Sequence, residues 1–171
     1  VEQGIADYGV AKRKAAERLG TVSPSLLPSN AMVELAVVEH QRLFGGVRHA
    51  ERLEELREGA VEAMRFFAPF APRLVGPVLS GAAAAHSVVM LHLFADDASA
   101  VIRHLVDHGI PFRETDRRVR YGAERVVGCP ACCFSVEGVD YEALIFPRDG
   151  LRQAPVSPVD GRAMRRAAIG E

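Results

Sequence analysis

Residues 74–96 read LVGPVLSGAAAAHSVVMLHLFAD, and the fold turns on how this stretch is parsed. Two apolar runs, Leu74–Leu79 and Val88–Ala95, flank a block of small residues: Ser80, Gly81 and the alanines 82–85. His86 and Ser87 lead into the second run. Both runs have strand length, and the block between them has the size of a tight connection, so the pattern predicts strand, turn, strand. Small side chains in such a turn let an anion approach backbone N–H groups, which gives Ser80 and Gly81, with His86 and Ser87 as donors, a potential for phosphate binding.

Working outward, Val47 to Phe67 carries Leu53, Leu56, Ala60, Ala63, Met64 and Phe67 at helical spacing. Glu51, Glu54, Glu55, Arg57, Glu58 and Glu62 lie on its opposite, solvated face. Pro69 and Pro72 end that helix. Upstream, residues 1–20 predict a short helix stopped by Gly20. A Pro- and Ser-rich loop over 21–30 follows, then a helix from Asn30, its capping residue, to the Gly45–Gly46 stop. Downstream, Asp96–Asp97 open a helix with Val101, Ile102, Leu105 and Val106 as its stripe and Gly109 as its stop. Ile110–Phe112 with RRVRYG, then Val126–Glu137, then VDYEALIFP predict three further strands. In the tail, Ser157-Pro158-Val159-Asp160 has the form of a capping box ahead of a short basic helix bearing Arg162, Arg165 and Arg166. The expected architecture is α/β (α+β), a mixed sheet flanked by helices. It divides into an N-terminal helical segment (1–49), a core (50–147) and a loop with a short C-terminal helix (148–171).

This order, and the 74–96 block in particular, resembles the nucleotidyltransferase superfamily of DNA polymerase β-like enzymes. The resemblance covers about residues 50–147. Together with YGVAKRKAAERLG and SPVDGRAMRRA, the block is also similar to a group of proteobacterial proteins identified as nucleotidyltransferase-like. Some of these carry a UDP-N-acetylmuramate–alanine ligase name. The P-loop lysine of such an ATP enzyme is absent, because the chain's only lysines are Lys12 and Lys14. The resemblance implies a Gly-Ser turn that holds a triphosphate and three carboxylates that hold two Mg²⁺ ions, two of them two residues apart on one strand. Those two positions fall on Val88 and Met90, which cannot ligate Mg²⁺. The third falls on Asp140 or Glu142, which share a strand face and are the candidate catalytic residues.

Other constellations compete with this one. Cys129 and Cys132 have zinc-ligand spacing, and His104 and His108 would present two imidazoles on one helix face. The alternative is that the cysteines are small buried hydrophobes and the histidines sit at a helix C-terminus that favours them. Three cysteines within residues 129–133 do not make a secreted disulfide framework, which points to a reducing, cytoplasmic compartment. The cluster Arg113, Arg117, Arg118, Arg120 and Arg125 is a local basic patch. The net charge of −1 gives no bulk reason to expect nucleic acid. No apolar run has membrane-spanning length, and the first twenty residues lack the apolar stretch of a signal peptide. Two readings from different classes stay open, besides a module that binds only other proteins through its N-terminal helices. One is an active transferase moving a nucleoside monophosphate from a nucleoside triphosphate, with Mg²⁺ held by Asp140, Glu142 and a third group. The other is a descendant with a degenerate metal site that binds a nucleotide with little or no catalysis.

Overall fold

The computed structural model describes residues 8–18, 20, 27–122 and 124–171. The start of the expected first helix (1–7) and most of the expected loop (21–26) lie outside the described residues. Three helices come first: α1 (Tyr8–Arg18), α2 (Asn30–Phe44) and α3 (Gly46–Phe66). Then follow β1 (Arg73–Val75), α4 (Gly76–Ser80), β2 (Val89–Phe94), α5 (Ala98–Asp107), β3 (Phe112–Tyr121), β4 (Arg125–Val136) and β5 (Val139–Phe146). The five strands form one mixed sheet in the order β1-β2-β5-β4-β3. Its centre is the parallel pair β2–β5, and every other neighbour is antiparallel. The expected mixed sheet flanked by helices is therefore present.

Strand alternation sends every second residue to one face of the sheet. Val89, Leu91 and Leu93 of β2, Tyr141, Ala143 and Ile145 of β5, and Cys132 and Phe134 of β4 share one face. Leu56, Ala60 and Met64 of α3, Phe67 beyond it, and Val101 and Leu105 of α5 cover that face to make the main core. The second face carries a smaller cluster of Phe94, Cys129, Ala131, Leu144 and Phe146. A tail from Pro147 onward crosses this side, and Arg166 lies over the rings of Phe94 and Phe146, 5.0 and 5.2 Å from their centroids.

Three local expectations are corrected. The run 74–79 is not one strand: β1 stops at Val75, and Gly76 (φ 75°) with Pro77 turns the chain into α4. Only glycine adopts that φ without strain, and proline is tolerated in the first turn of a helix, where its missing N–H would have no partner. The expected C-terminal helix is absent, and residues 157–171 form turns and isolated bridges, Val156 with Ala163 and Leu74 with Ala167. Ser157 Oγ accepts from Val159 N, and Asp160 Oδ1 accepts from Arg162 N. Such short-range side-chain bonds compete with helix formation, and Gly161 at φ 72° breaks what remains. The cap of α2 is Ser29, whose Oγ accepts from Met32 N at 3.2 Å, not Asn30. Ser29→Ala is expected to lower stability by about 1 kcal/mol, read as a shift in the urea midpoint at constant slope. An Asn30→Ala change, which leaves the cap in place, should cost less.

Candidate functional site: the open half of the second sheet face

The register decides which side chains meet. Met90 of β2 pairs with Glu142 of β5, and Glu142 pairs in turn with Cys133 of β4. Cys133 pairs with Arg113 of β3. Alternation puts Met90, Asp140, Glu142, Cys133, Ser135, Arg113 and Arg117 on the second face, away from the helices. The tail covers the far half of that face, around Phe94 and Phe146. The near half stays open as a shallow cavity of about 400 Å³, walled by Val88, Arg113 and Arg117 on its sides and by Cys133, Asp140 and Glu142 on its floor.

The structure thus brings Asp140 and Glu142 together with Val88 and Met90, the positions where the resemblance would place two more carboxylates. Arg117, Glu142, Cys133, Ser135 and Asp140 are already engaged with one another. Arg117 Nε donates to Glu142 Oε1 at 2.5 Å, and Cys133 Sγ donates to the same oxygen at 3.8 Å. Ser135 Oγ donates to Asp140 Oδ1. Burial first, then the Glu142 carboxylate, pushes the Cys133 thiol up, which favours its protonated form at neutral pH. Arg113 forms no ion pair among the described residues.

Ser80, Gly81, His86 and Ser87 sit elsewhere in the local geometry. Ser80 and Gly81 end α4 rather than begin a helix: Gly81 (φ 84°) is the C-cap, and its N–H is bonded to Pro77 O. Ser80 Oγ donates to Glu34 Oε1 of α2 at 3.0 Å. Ser87 Oγ accepts from Ala84 N, and Ser87 N donates to Ala84 O, which closes a local turn. Three donors, Arg57, Gln41 and Arg52, reach in to bond the carbonyls of Val78, Ala83 and Ala85. The connection 76–88, α4 and the loop after it, is therefore braced from outside and spends several of its own donors internally. His86 is exposed.

Cys129 and Cys132 point to opposite faces of the sheet, one into each cluster, as their three-residue spacing on a strand requires. Burial pushes both thiols up to about 11. His104 Nε2 donates to Phe66 O at 2.9 Å within a group of aromatic rings, and His108 Nδ1 donates to His104 O. Among the described residues no group of three or more His, Cys, Asp or Glu side chains is arranged to hold a metal ion. Arg118 and Arg120 project to the face opposite Arg117, so the basic patch of β3 splits in two.

No protein-family model, curated protein or solved structure matches the chain. No helix among the described residues is long and apolar enough to cross a membrane. Sequence reasoning missed Cys133 and Ser135 as cavity residues and did not separate Arg113 and Arg117 from the other arginines. The two-residue period of FRETDRRVRY carried that last signal, but the strand pairing that gives it meaning did not show.

Proposed function

We propose that the chain is a nucleotidyltransferase-like protein without a working two-metal centre. On this reading it uses the open sheet-face cavity to bind a phosphate-bearing small molecule, a nucleoside triphosphate in the first place, without transferring it. The observation that carries the reading is the Arg117–Glu142 pair. In a metal-dependent site a carboxylate at this position would face a divalent cation; here its charge is met by a guanidinium of the same chain. Val88 and Met90 supply no oxygen ligands beside it. Arg113, which lines the same cavity without an ion-pair partner among the described residues, is the cation left for a phosphate. The cavity volume is at the lower end of the range for small-molecule sites.

The test is thermal unfolding with each of the four ribonucleoside triphosphates, with and without Mg²⁺. Stabilisation that does not depend on Mg²⁺ is expected. Arg113→Ala should weaken the apparent affinity about tenfold, or about 1.4 kcal/mol. Stabilisation only with Mg²⁺ would restore the metal-dependent transferase reading. No stabilisation by any nucleotide would end the nucleotide reading altogether. Val88→Asp combined with Met90→Asp, which sets two carboxylates beside Glu142, is expected to make binding respond to Mg²⁺.

A further inference from the structure

The tail that crosses the second sheet face is lightly attached. Of residues 147–171 only Pro155 and Ala167 are buried, and neither core cluster contains a residue beyond Phe146. Its backbone is tied by two hydrogen bonds of 2.9 Å between Leu74 and Ala167, and where Val156 N donates to Arg120 O. On the sheet face itself the fastener is the Arg166 side chain. Its Nε donates to His92 Nδ1 at 3.0 Å, its Nη1 donates to Gly150 O at 2.7 Å, and it lies over the rings of Phe94 and Phe146. Among the described residues no carboxylate pairs with it, and its buried Nη2 has no hydrogen-bond partner. Buried cations are ordinarily paired, so this one depends on the neutral imidazole beside it.

We propose that the tail is an acid-released strap: protonation of His92 expels Arg166 and uncovers the far half of the second sheet face. His92 accepts at Nδ1 and so carries its one proton on Nε2. A second proton, on Nδ1, sets a donor against a donor and two cations in contact. Nothing nearby offsets them. Arg73, opposite His92 across β1–β2, adds a third positive charge and is bonded to Ala71 O and Pro72 O. The Tyr121 phenol of β3 and the Cys129 thiol of β4 face Arg166, and burial pushes both up, so they stay neutral in acid. Leu144 and Phe146 of β5 are uncharged, and Asp149, beside Gly150, is exposed and forms no ion pair among the described residues. Burial and then the guanidinium hold the enclosed imidazole at about 3, against about 6.5 once it is exposed. The open form takes up the proton and the closed form does not, so the ratio of open to closed rises about tenfold for each pH unit below about 6.5. Glu142 and Leu144, like Cys133 and Ala131, are consecutive positions on this face, so the uncovered half continues the floor of the cavity. Protonated His92 then joins Arg113 on one open face. That consequence for a phosphate ligand rests on the reading proposed above; the opening itself does not.

The experiment is amide hydrogen exchange of the full chain, read residue by residue from about pH 6 to about pH 4.5. The Val156 and Ala167 amides, which tie the tail down, are expected to be at least about tenfold less protected than the amides joining β2 to β5. Their protection should fall about thirtyfold across the range. In His92→Gln, or in His92→Leu should the first variant not fold, the tail's protection should stay flat. Tail amides as protected as those of β2–β5 at every pH would mean that the strap opens only with the whole fold, and the inference would be overturned. The same follows from a wild-type tail whose protection does not change with pH. A thirtyfold fall that persists without His92 would assign the proton to another group and sink the inference equally. No nucleotide is present, so none of these outcomes depends on the thermal-unfolding test of the cavity.

Discussion

Acidifying the protein from about pH 6.5 to about pH 4.5 is expected to remove about 2 kcal/mol of stability through His92 alone. The imidazole is 1% exposed, lies against the Phe146 ring, and accepts a hydrogen bond at Nδ1 from Arg166 Nε at 3.0 Å. Burial first, then the adjacent guanidinium, pull its pKa from 6.5 to about 3 in the folded state. In the unfolded chain the ordinary value near 6.5 returns. Between those two values the unfolded state holds more protons than the folded one, so stability falls as the pH falls and levels off only below about 3. Across the whole window the loss is on the order of 4–5 kcal/mol. Asp97 and Glu39, whose carboxyls are held below their usual values mainly by hydrogen bonds, lose their contribution only at lower pH, outside the upper part of this window. His92→Gln keeps an acceptor for Arg166 and removes the titration. Its urea midpoint should therefore be nearly flat between about pH 6.5 and pH 4.5, while that of the wild type drops. Parallel losses in the two proteins would show that His92 is not the acid-sensitive group.

The second large effect has the opposite sign from helix propensity. Gly59 lies inside α3, where replacement by alanine ordinarily stabilises by about 1 kcal/mol. Here a Cβ would stand 2.6 Å from Tyr141 Oη. Tyr141 cannot easily yield: it is buried, and its ring stacks on Phe134 at 5.0 Å with an interplanar angle of 5°. Gly59→Ala is therefore expected to destabilise by about 2 kcal/mol, as overpacking does. Tyr141→Phe removes the obstructing oxygen. In that background the same Gly59→Ala change should be neutral or stabilising, a coupling of about 2–3 kcal/mol in a double-mutant cycle. Additive effects in guanidinium unfolding would mean that the helix and sheet shift to accommodate both groups.

Much of the fold was legible because periodicity reports on burial. The stripe Leu56, Ala60, Met64 in α3 and the alternation of VDYEALIF are consequences of one face being covered, so they appear in the chain itself. Where the structure departs from expectation, a local signal pointed one way and a distant partner the other. Gly76-Pro77 sits in an apolar run and looks like strand interior until Met90 packs against Gly76, its sulfur 3.0 Å from where a Cβ would be. Arg166 looks like one basic residue of a surface helix. It instead threads between two aromatic rings, His92 and the carbonyl of Gly150, partners 16 to 74 positions away. The candidate site was half legible. Asp140 and Glu142 sharing a face follows from strand geometry. Arg117 reaching Glu142 depends on β4 lying between β3 and β5, which no local pattern encodes.

The tail that locks onto the second sheet face also sets the order of events during synthesis. β1, at one edge of the sheet, gains its outer hydrogen bonds from Leu74 to Ala167 and back, and the central β2–β5 pair is roofed at one end by Arg166. Both contacts join segments made far apart in time. A nascent chain therefore carries an uncapped strand edge and two uncovered phenylalanines until residue 167 has left the ribosome, the kind of exposed edge and apolar surface that favours aggregation.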